Sequence, residues 1–565
     1  MGVVNPFLIL FIRHLTRSIM RKTIFQILIG INLFILFISF FAPVITWFLL
    51  LTIPLLMIAI HDSRQKKHAI LRNFPLIGRA RWIIESVRPF VQQYILETDT
   101  GGAPISRMFR NIVYQRAKNS IDTIPFGTQL DTYKTGYEWI GHSLSALNVE
   151  DIDLDPRVTI GSRHCKQPYS ASILNISAMS FGSLSKPALQ ALNKGAKLGG
   201  FYHNTGEGGV SPYHLEYGAD VVWQIGTGYF GCRNDSGGFD PDKFKQQASH
   251  TNIKMIEIKL SQGAKPGHGG ILPASKNTQE IADIRGVKVG TQVDSPATHS
   301  AFKTPVELIT FIQTLRDLSG GKPIGIKLAL GRRSEFAAIC KAMVELNITP
   351  DFVTVDGGEG GTGAAPLEYS NSIGSPLREA LAFVDDCLVG FGVREDIKII
   401  ASGKIISGFH LVKNLALGAD ICNSARGMML ALGCVQSLSC NTNECPTGVA
   451  TQDPSLSSGL IPANKAVRVH QFHKKTVYAS VDIISSAGLA LPCDLNRTHI
   501  FRRVNQQKVM RYDEIFPHMV IGGFLQDCIP ELYKIDIAEA KANSFAPKKI
   551  LTSINQQMKS LCENS

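Results

Sequence analysis

The sequence predicts an α/β protein, a (β/α)8 TIM barrel with an N-terminal transmembrane helical hairpin. Eight short runs rich in Ile and Val recur from about Ser172, each giving way to a glycine-rich or polar turn and then a helical stretch. Parallel strands buried on both faces read as continuous apolar runs of this kind, and eight βα units close a barrel. Ahead of them, Ile24 to Ile60 carries no charged side chain. After the eighth run, Cys434, Cys440 and Cys445 stand at C-x5-C-x4-C, with Pro446 behind them.

A chain of 565 residues has room for one large domain and an appendage. The 11 cysteines are scattered apart from that triplet, which fits a reducing compartment rather than a disulfide framework. The net charge of +12 would suit nucleic acid, but its distribution excludes that partner. Eight basic residues against Asp62 alone lie in residues 1–72, around the apolar segment, so the excess points to a membrane.

In chain order, residues 1–23 form a basic N-terminal segment and residues 24–60 the hairpin. Two passes of about 18 residues each fit a hydrocarbon core of about 30 Å, turning near Pro43. Arg21–Lys22 and Arg64–Lys67 flank the passes, which places both ends, and the catalytic domain, on the cytoplasmic side of the membrane. Residues 61–150 read as a cytoplasmic connector with helical periodicity from Arg81 to Leu96. Residues 151–455 hold the barrel and the cysteine segment, with Pro273 to Leu318 as an insertion between the fourth and fifth runs. Residues 456–565 read as a helical extension ending in a polar tail after Lys548.

Polar residues gather where the runs end, the face on which barrels carry their chemistry. Run seven ends in Ser402–Gly403–Lys404 and run eight in Asn423–Ser424–Ala425–Arg426–Gly427. Turns at these two ordinal positions commonly hold phosphate, with backbone N–H groups and here Arg426 as donors; ordinary βα turn chemistry is the alternative. Run one brings Met179 and Ser180 among small residues against which a flat ring could lie. Run five buries Lys327 in IGIKLAL, a cation for a bound ring or a partner for Glu257 or Asp356. Gln262 and Lys265 in SQGAKPGHGG can clamp a carboxylate. Glu207 in HNTGEGG can move a proton, or equally cap a helix or pair with Lys265. His203 and His268 are more distant acid–base candidates.

Short thiolate spacings with a trailing proline are a mark of iron–sulfur ligation, and three thiolates suit a 3Fe–4S cluster. Zinc would want a fourth ligand and shorter spacers. Three unrelated buried thiols remain the alternative.

Together SAMSFGSLS, HNTGEGG, SQGAKPGHGG, IGIKL, VDGGEGGTGAAP, ASGK, ADICNSARGMM and CVQSLSCNTNECPTGVATQ resemble, in order over Ser172–Gln452, the FMN-binding synthase domain of glutamate synthase. The resemblance implies FMN, a 3Fe–4S cluster, and reductive amination of 2-oxoglutarate to glutamate. It implies Cys434, Cys440 and Cys445 as cluster ligands. It implies Ser402, Gly403, Asn423, Ser424 and Arg426 at the FMN phosphate, and Met179, Ser180, Gln224 and Lys327 around its ring. Gln262 and Lys265 match the 2-oxoglutarate site, with Glu207 and Lys265 as the catalytic pair. His268 departs from the acidic residue frequent there. No glutaminase domain precedes the barrel, so the implied nitrogen source is ammonia or an imine, and the hairpin resembles that of stand-alone, glutamate-synthase-related proteins. An electron donor and a homo-oligomer complete the expected partners. The competing readings are an FMN oxidoreductase of another small carbonyl, imine or hydroxy acid, and a membrane electron-transfer subunit without turnover.

Overall fold

A computed structural model describes residues 6–546, with side chains from residue 21 onward. Arg13, Arg17 and the polar tail after Lys548 lie outside the described side chains. The chain divides into two compact units between Gly102 and Ala103.

In the first unit, helix α1 (Pro6–Ser39) leads through a 3-10 turn, Pro43–Phe48, into helix α2 (Leu49–Arg64). Pro43 opens the turn, where its missing N–H is not needed. Arg21–Ser39 and Pro43–Arg64 are long and apolar enough to cross a membrane. Most of their side chains, Leu33, Phe37 and Leu50 among them, are exposed, while Leu28, Ile35 and Ala59 are buried. One polar contact joins the pair: the Thr52 hydroxyl donates to Asn32 Oδ1 at 2.9 Å. Helix α3 (Ala80–Val91) follows, continued by a π turn, Gln92–Leu96.

The second unit is a closed barrel of eight parallel strands. They are β1 (Leu174–Ile176), β2 (His203–Asn204), β3 (Val221–Ile225), β4 (Ile253–Lys259), β5 (Ile324–Leu328), β6 (Phe352–Asp356), β7 (Lys398–Ser402) and β8 (Ile421–Ser424). Each lies in one of the eight apolar runs. Every strand pairs with its neighbours in sequence, and β8 closes on β1 through Cys422–Leu174, Asn423–Asn175 and Ser424–Ile176. An antiparallel hairpin, Arg157–Ile160 with Tyr169–Ser172, precedes β1. Its Ile160, Tyr169 and Ala171 pack with Val222, Met255, Phe352 and Ile400 of the strands, so the barrel interior is filled away from the polar strand ends.

The helical layer departs from the simple alternation in two places. Pro305–Leu318 is an outer helix between β4 and β5 rather than part of the insertion, because Leu308, Ile309, Ile312 and Leu315 bury one face and Thr304 with Glu307 caps its start. The inserted material is a small antiparallel ribbon, Ile271–Leu272 with Val293–Asp294, and a short helix, Gln279–Arg285. After β8 come a short helix, Arg426–Leu432, and the cysteine segment. Only then does a long helix, Pro462–Ser486, pack along Lys186–Gly199 and Gly408–Ala416, so the layer's eighth helix comes from beyond residue 455. Gly195 permits that approach: a Cβ there would lie 2.8 Å from the Val469 side chain and 2.9 Å from the Ala466 carbonyl oxygen. The C-terminal region is not wholly helical, since Ile500–Arg503 pairs with Glu138–Ile140 and Val509–Arg511.

Candidate active site

Two cavities open at the C-terminal ends of the strands and share Ala178, Gln262, Gly361, Ala425 and Arg426 as a common wall. The larger, about 270 Å³, brings Met179, Ser180, Glu207, Gln224, Gln262 and Lys265 together with all three cysteines of the triplet. The smaller is lined by Lys327, Ser402, Gly403, Asn423 and Arg426, with Lys404 and Gly360 beside them. Of the residues that the resemblance assigns to the site, Ser424 lines neither. Successive strand residues face opposite sides. Asn423 faces inward and accepts a hydrogen bond from the Tyr202 hydroxyl at 2.7 Å, while Ser424 turns away and donates to the Ile405 carbonyl at 2.6 Å.

Charge is distributed unevenly along this space. Glu207 and Lys259 form a largely buried ion pair, Nζ to Oε1, at 2.8 Å. Burial alone would raise the Glu207 carboxyl, but Lys259, Lys265 and Arg285 together bring it below the usual carboxylate range. Lys265 has no carboxylate in contact; its amine donates to the Ala364 carbonyl at 2.9 Å, and burial brings it down to about 8. The Arg285 guanidinium donates to the Phe181 carbonyl at 3.0 Å, and burial lowers it to about 10. Lys327 sits beside Lys259 in the β4–β5 register and reaches Asp356 at 3.3 Å. It is thus at once a cavity wall and one half of an ion pair. The Gln224 amide donates to Glu257, which also accepts from Asn204 and Thr354. That network fixes the Gln224 side chain from beneath.

At the other end the thiols are reduced and unpaired. Burial pushes Cys434 up to about 11 and raises Cys440. Burial also raises Cys445, but the Thr447 hydroxyl and the backbone N–H groups of Ala450, Thr447 and Val449 overcome it and leave this thiol below its ordinary value. The Gln436 N–H points at Cys434 Sγ at 3.4 Å. Among the described residues, no group of three or more His, Cys, Asp or Glu side chains is gathered closely enough to hold a single metal ion. A single ion needs its donors around one point, whereas a cluster spreads its thiolates over several irons.

The conserved region in glutamate synthase matches residues 129–490. The chain belongs to the glutamate synthase family. The glutamate synthase large subunit-like protein YerD of Bacillus subtilis (strain 168) is 37% identical over 512 residues, 83% of this chain and 97% of that protein. The archaeal-type glutamate synthase (NADPH) of Thermotoga neapolitana is 31% identical over 431 residues, 74% of this chain and 79% of that enzyme. The archaeal glutamate synthase (NADPH) of Methanocaldococcus jannaschii is 34% identical over 315 residues, 56% of this chain and 58% of that one.

Several residues in or behind this family member's cavity walls escape the sequence reading. Lys259 ends β4 as Lys327 lies in β5, and the same signal, a lysine in an apolar strand, marks it. Arg285 and Lys276 come from the insertion, where no local pattern singles them out. Lys276 is buried and donates to the carbonyls of Cys440 and Ala450, both at 2.8 Å, and of Ser183 at 3.3 Å. Residues 103–117 also take part. Pro104 and Ile105 line the larger cavity, the Ile105 N–H donates to Gln436 Oε1 at 3.1 Å, and the Tyr114 hydroxyl donates to the Cys434 carbonyl at 2.7 Å. His203 is fully buried beside His214, outside both cavities. His268 Nδ1 donates to the Gly269 carbonyl of its own loop at 3.0 Å.

Proposed function

We propose that the chain is a membrane-anchored oxidoreductase that takes FMN and a 3Fe–4S cluster and forms glutamate from 2-oxoglutarate and ammonia. The observation that carries this reading is the cavity itself. A carboxylate among three cations lies at one end, three reduced thiols lie at the other, and a glycine-lined recess with Lys404 and Arg426 opens from its wall.

The recess fits a phosphate-bearing ligand. A Cβ on Gly361 would lie 2.0 Å from the Arg426 guanidinium, so that glycine keeps the arginine against the backbone. Ser402, Gly403, Asn423 and Arg426 would hold the FMN phosphate, and Met179, Ser180, Gln224 and Lys327 would surround the ring. Cys434, Cys440 and Cys445 would hold the cluster. FMN supplies a hydride when bound, and the cluster supplies single electrons.

The chain's own residues do the rest. Lys265, with Gln262 beside it and Arg285 near, would hold the two carboxylates of 2-oxoglutarate. Glu207, kept ionised by Lys259, would move protons at the nitrogen as carbonyl and ammonia condense and lose water. The balance is 2-oxoglutarate, ammonia, two electrons and two protons giving glutamate and water. Ammonia or an imine arrives from solution or a partner, and a separate electron donor supplies the electrons. The two apolar helices would anchor the chain as a hairpin, with the barrel on the cytoplasmic side.

The test is to purify the protein anaerobically in detergent, reduce it, and follow the flavin absorbance on adding 2-oxoglutarate with ammonia. Reoxidation with glutamate appearing supports the reading. A bound flavin that stays reduced rejects glutamate synthesis from these reactants and leaves another carbonyl substrate, or electron transfer alone.

A further inference from the structure

Residues 80–96 form a helix with an apolar face that no described side chain of its own unit buries. Ile83, Ile84, Val87, Phe90 and Ile95 recur at helical spacing, and all are exposed, Ile83 at 63% and Ile95 at 74%. None of the residues in α3 is buried. Arg81, Glu85 and Arg88 occupy the opposite face. At about 1.5 Å per residue the segment is about 25 Å long, and with three charges and Pro89 inside it is no candidate to span a bilayer.

We infer that this helix lies in the plane of the membrane, its apolar face in the interface of the anionic leaflet from which the hairpin ends emerge. The inference rests on the membrane reading of the hairpin and extends it from the two spans to the segment expected as a soluble connector. Position supports it. The start of the helix is tied to the end of α2, since Arg79 donates from Nε to Asp62 Oδ2 at 2.9 Å and from Nη2 to Asp62 Oδ1 at 2.6 Å. The Leu76 N–H donates to the same carboxylate at 3.2 Å. A helix pinned there begins at the level where the second span leaves the hydrocarbon. Charge supports it too: from Arg64 to Arg88 there are seven basic residues and one acidic residue, Glu85. Basic juxtamembrane segments are drawn to anionic headgroups, and an amphipathic helix adds its apolar face to that attraction. Trp82 is part exposed and meets His68 edge-on, with ring centroids 5.3 Å apart.

Tryptophan quenching tests it in the full chain, reconstituted in phosphatidylcholine–phosphatidylglycerol vesicles whose acyl chains carry bromine near the headgroup. Trp47 lies in the hairpin turn and reports insertion of the spans; Trp82 reports the helix. The expected result is that Trp47→Phe and Trp82→Phe each remove part of the quenchable fluorescence. Ile83→Asn with Val87→Asn should abolish the Trp82 share and leave the Trp47 share intact. If Trp47 is quenched while Trp82→Phe leaves the quenched fraction unchanged, the in-plane helix is refuted and the anchored hairpin stands. Quenching of neither tryptophan refutes both.

Discussion

Replacing Lys259 by methionine should destabilise the barrel. The ammonium meets Glu207 at 2.8 Å with both side chains largely shielded from water. Methionine preserves most of the stem but leaves the carboxylate with only Lys265 and Arg285, neither of which touches it. Removing one partner of a buried pair costs about 3–5 kcal/mol, most of it the penalty of the stranded charge. Since Glu207 keeps some access to the cavity and two further cations nearby, about 2–3 kcal/mol is the expected loss. Glu207→Gln in the Lys259→Met background should recover at least half of it, because the stranded charge is then gone. The assay is denaturant unfolding of detergent-solubilised protein, with the four single and double forms compared as a cycle. The sign with pH follows from the depressed Glu207 value. A depressed carboxyl contributes stability above its unfolded value of about 4.3, lost as pH falls through the folded value. The gap between parent and Lys259→Met should therefore narrow as pH drops below about 5. A loss under about 1 kcal/mol, or a double variant no better than Lys259→Met alone, would refute the reasoning.

Three further outcomes follow from the same geometry. Lys265 titrates at about 8, so it is a cation below that pH; the KM for a dicarboxylate substrate should rise as pH climbs through 8, and Lys265→Arg should move the rise upward. Gly195→Ala places a methyl against Val469 and Ala466, so an overpacking cost of about 1–3 kcal/mol should outweigh the helix-propensity gain of about 1 kcal/mol, read as a lower denaturation midpoint. Lys276→Met removes three donations to carbonyls around the cysteine segment. Faster alkylation of Cys440 in the iron-free protein, and less iron retained per chain, should result.

The barrel was legible because each strand is buried on both faces and so keeps its apolar side chains contiguous; β1 to β8 fall one to a run. The ends of the runs were legible for the same reason, since a polar residue can follow such a strand only where the cavity or a partner receives it. Lys327 was visible on that ground, and Lys259 carries the same mark. Ser424 shows the limit of motif matching: it sits in the right turn, but the two-residue period of a strand sends its hydroxyl outward. Arg285 and Lys276 illustrate a different limit. They reach the carbonyls of Phe181, Ser183, Cys440 and Ala450 from an insertion whose local sequence is that of any short helix and turn, so only the fold brings them there. The helix Pro462–Ser486 is likewise assigned to the barrel by packing against Gly195, at a distance in sequence that periodicity does not span.

The insertion after β4 gives the cavity its character. The turn after β4 sends Lys265 to the β6 turn at Ala364, and the insertion behind it sends Arg285 to the β1 turn at Phe181 and Lys276 to the cysteine segment at Cys440 and Ala450. In each case a buried cation is met by a carbonyl rather than by a carboxylate. Carbonyl dipoles satisfy the donors but do not cancel the charge, and uncompensated buried charge is costly. Among Lys259, Lys265, Arg285 and Lys276, only Lys259 has a carboxylate in contact, and Glu207 interacts electrostatically with the first three. A protein core has no use for such an excess, since apolar side chains of the same volume would be more stable. The excess makes physical sense where anions belong: carboxylates at the Lys265 end, and thiolates at the Lys276 end, where Cys440 and Cys445 already act on the lysine. One inserted segment thus supplies both the cation beside Glu207, Arg285, and the cation beneath the cysteine segment, Lys276.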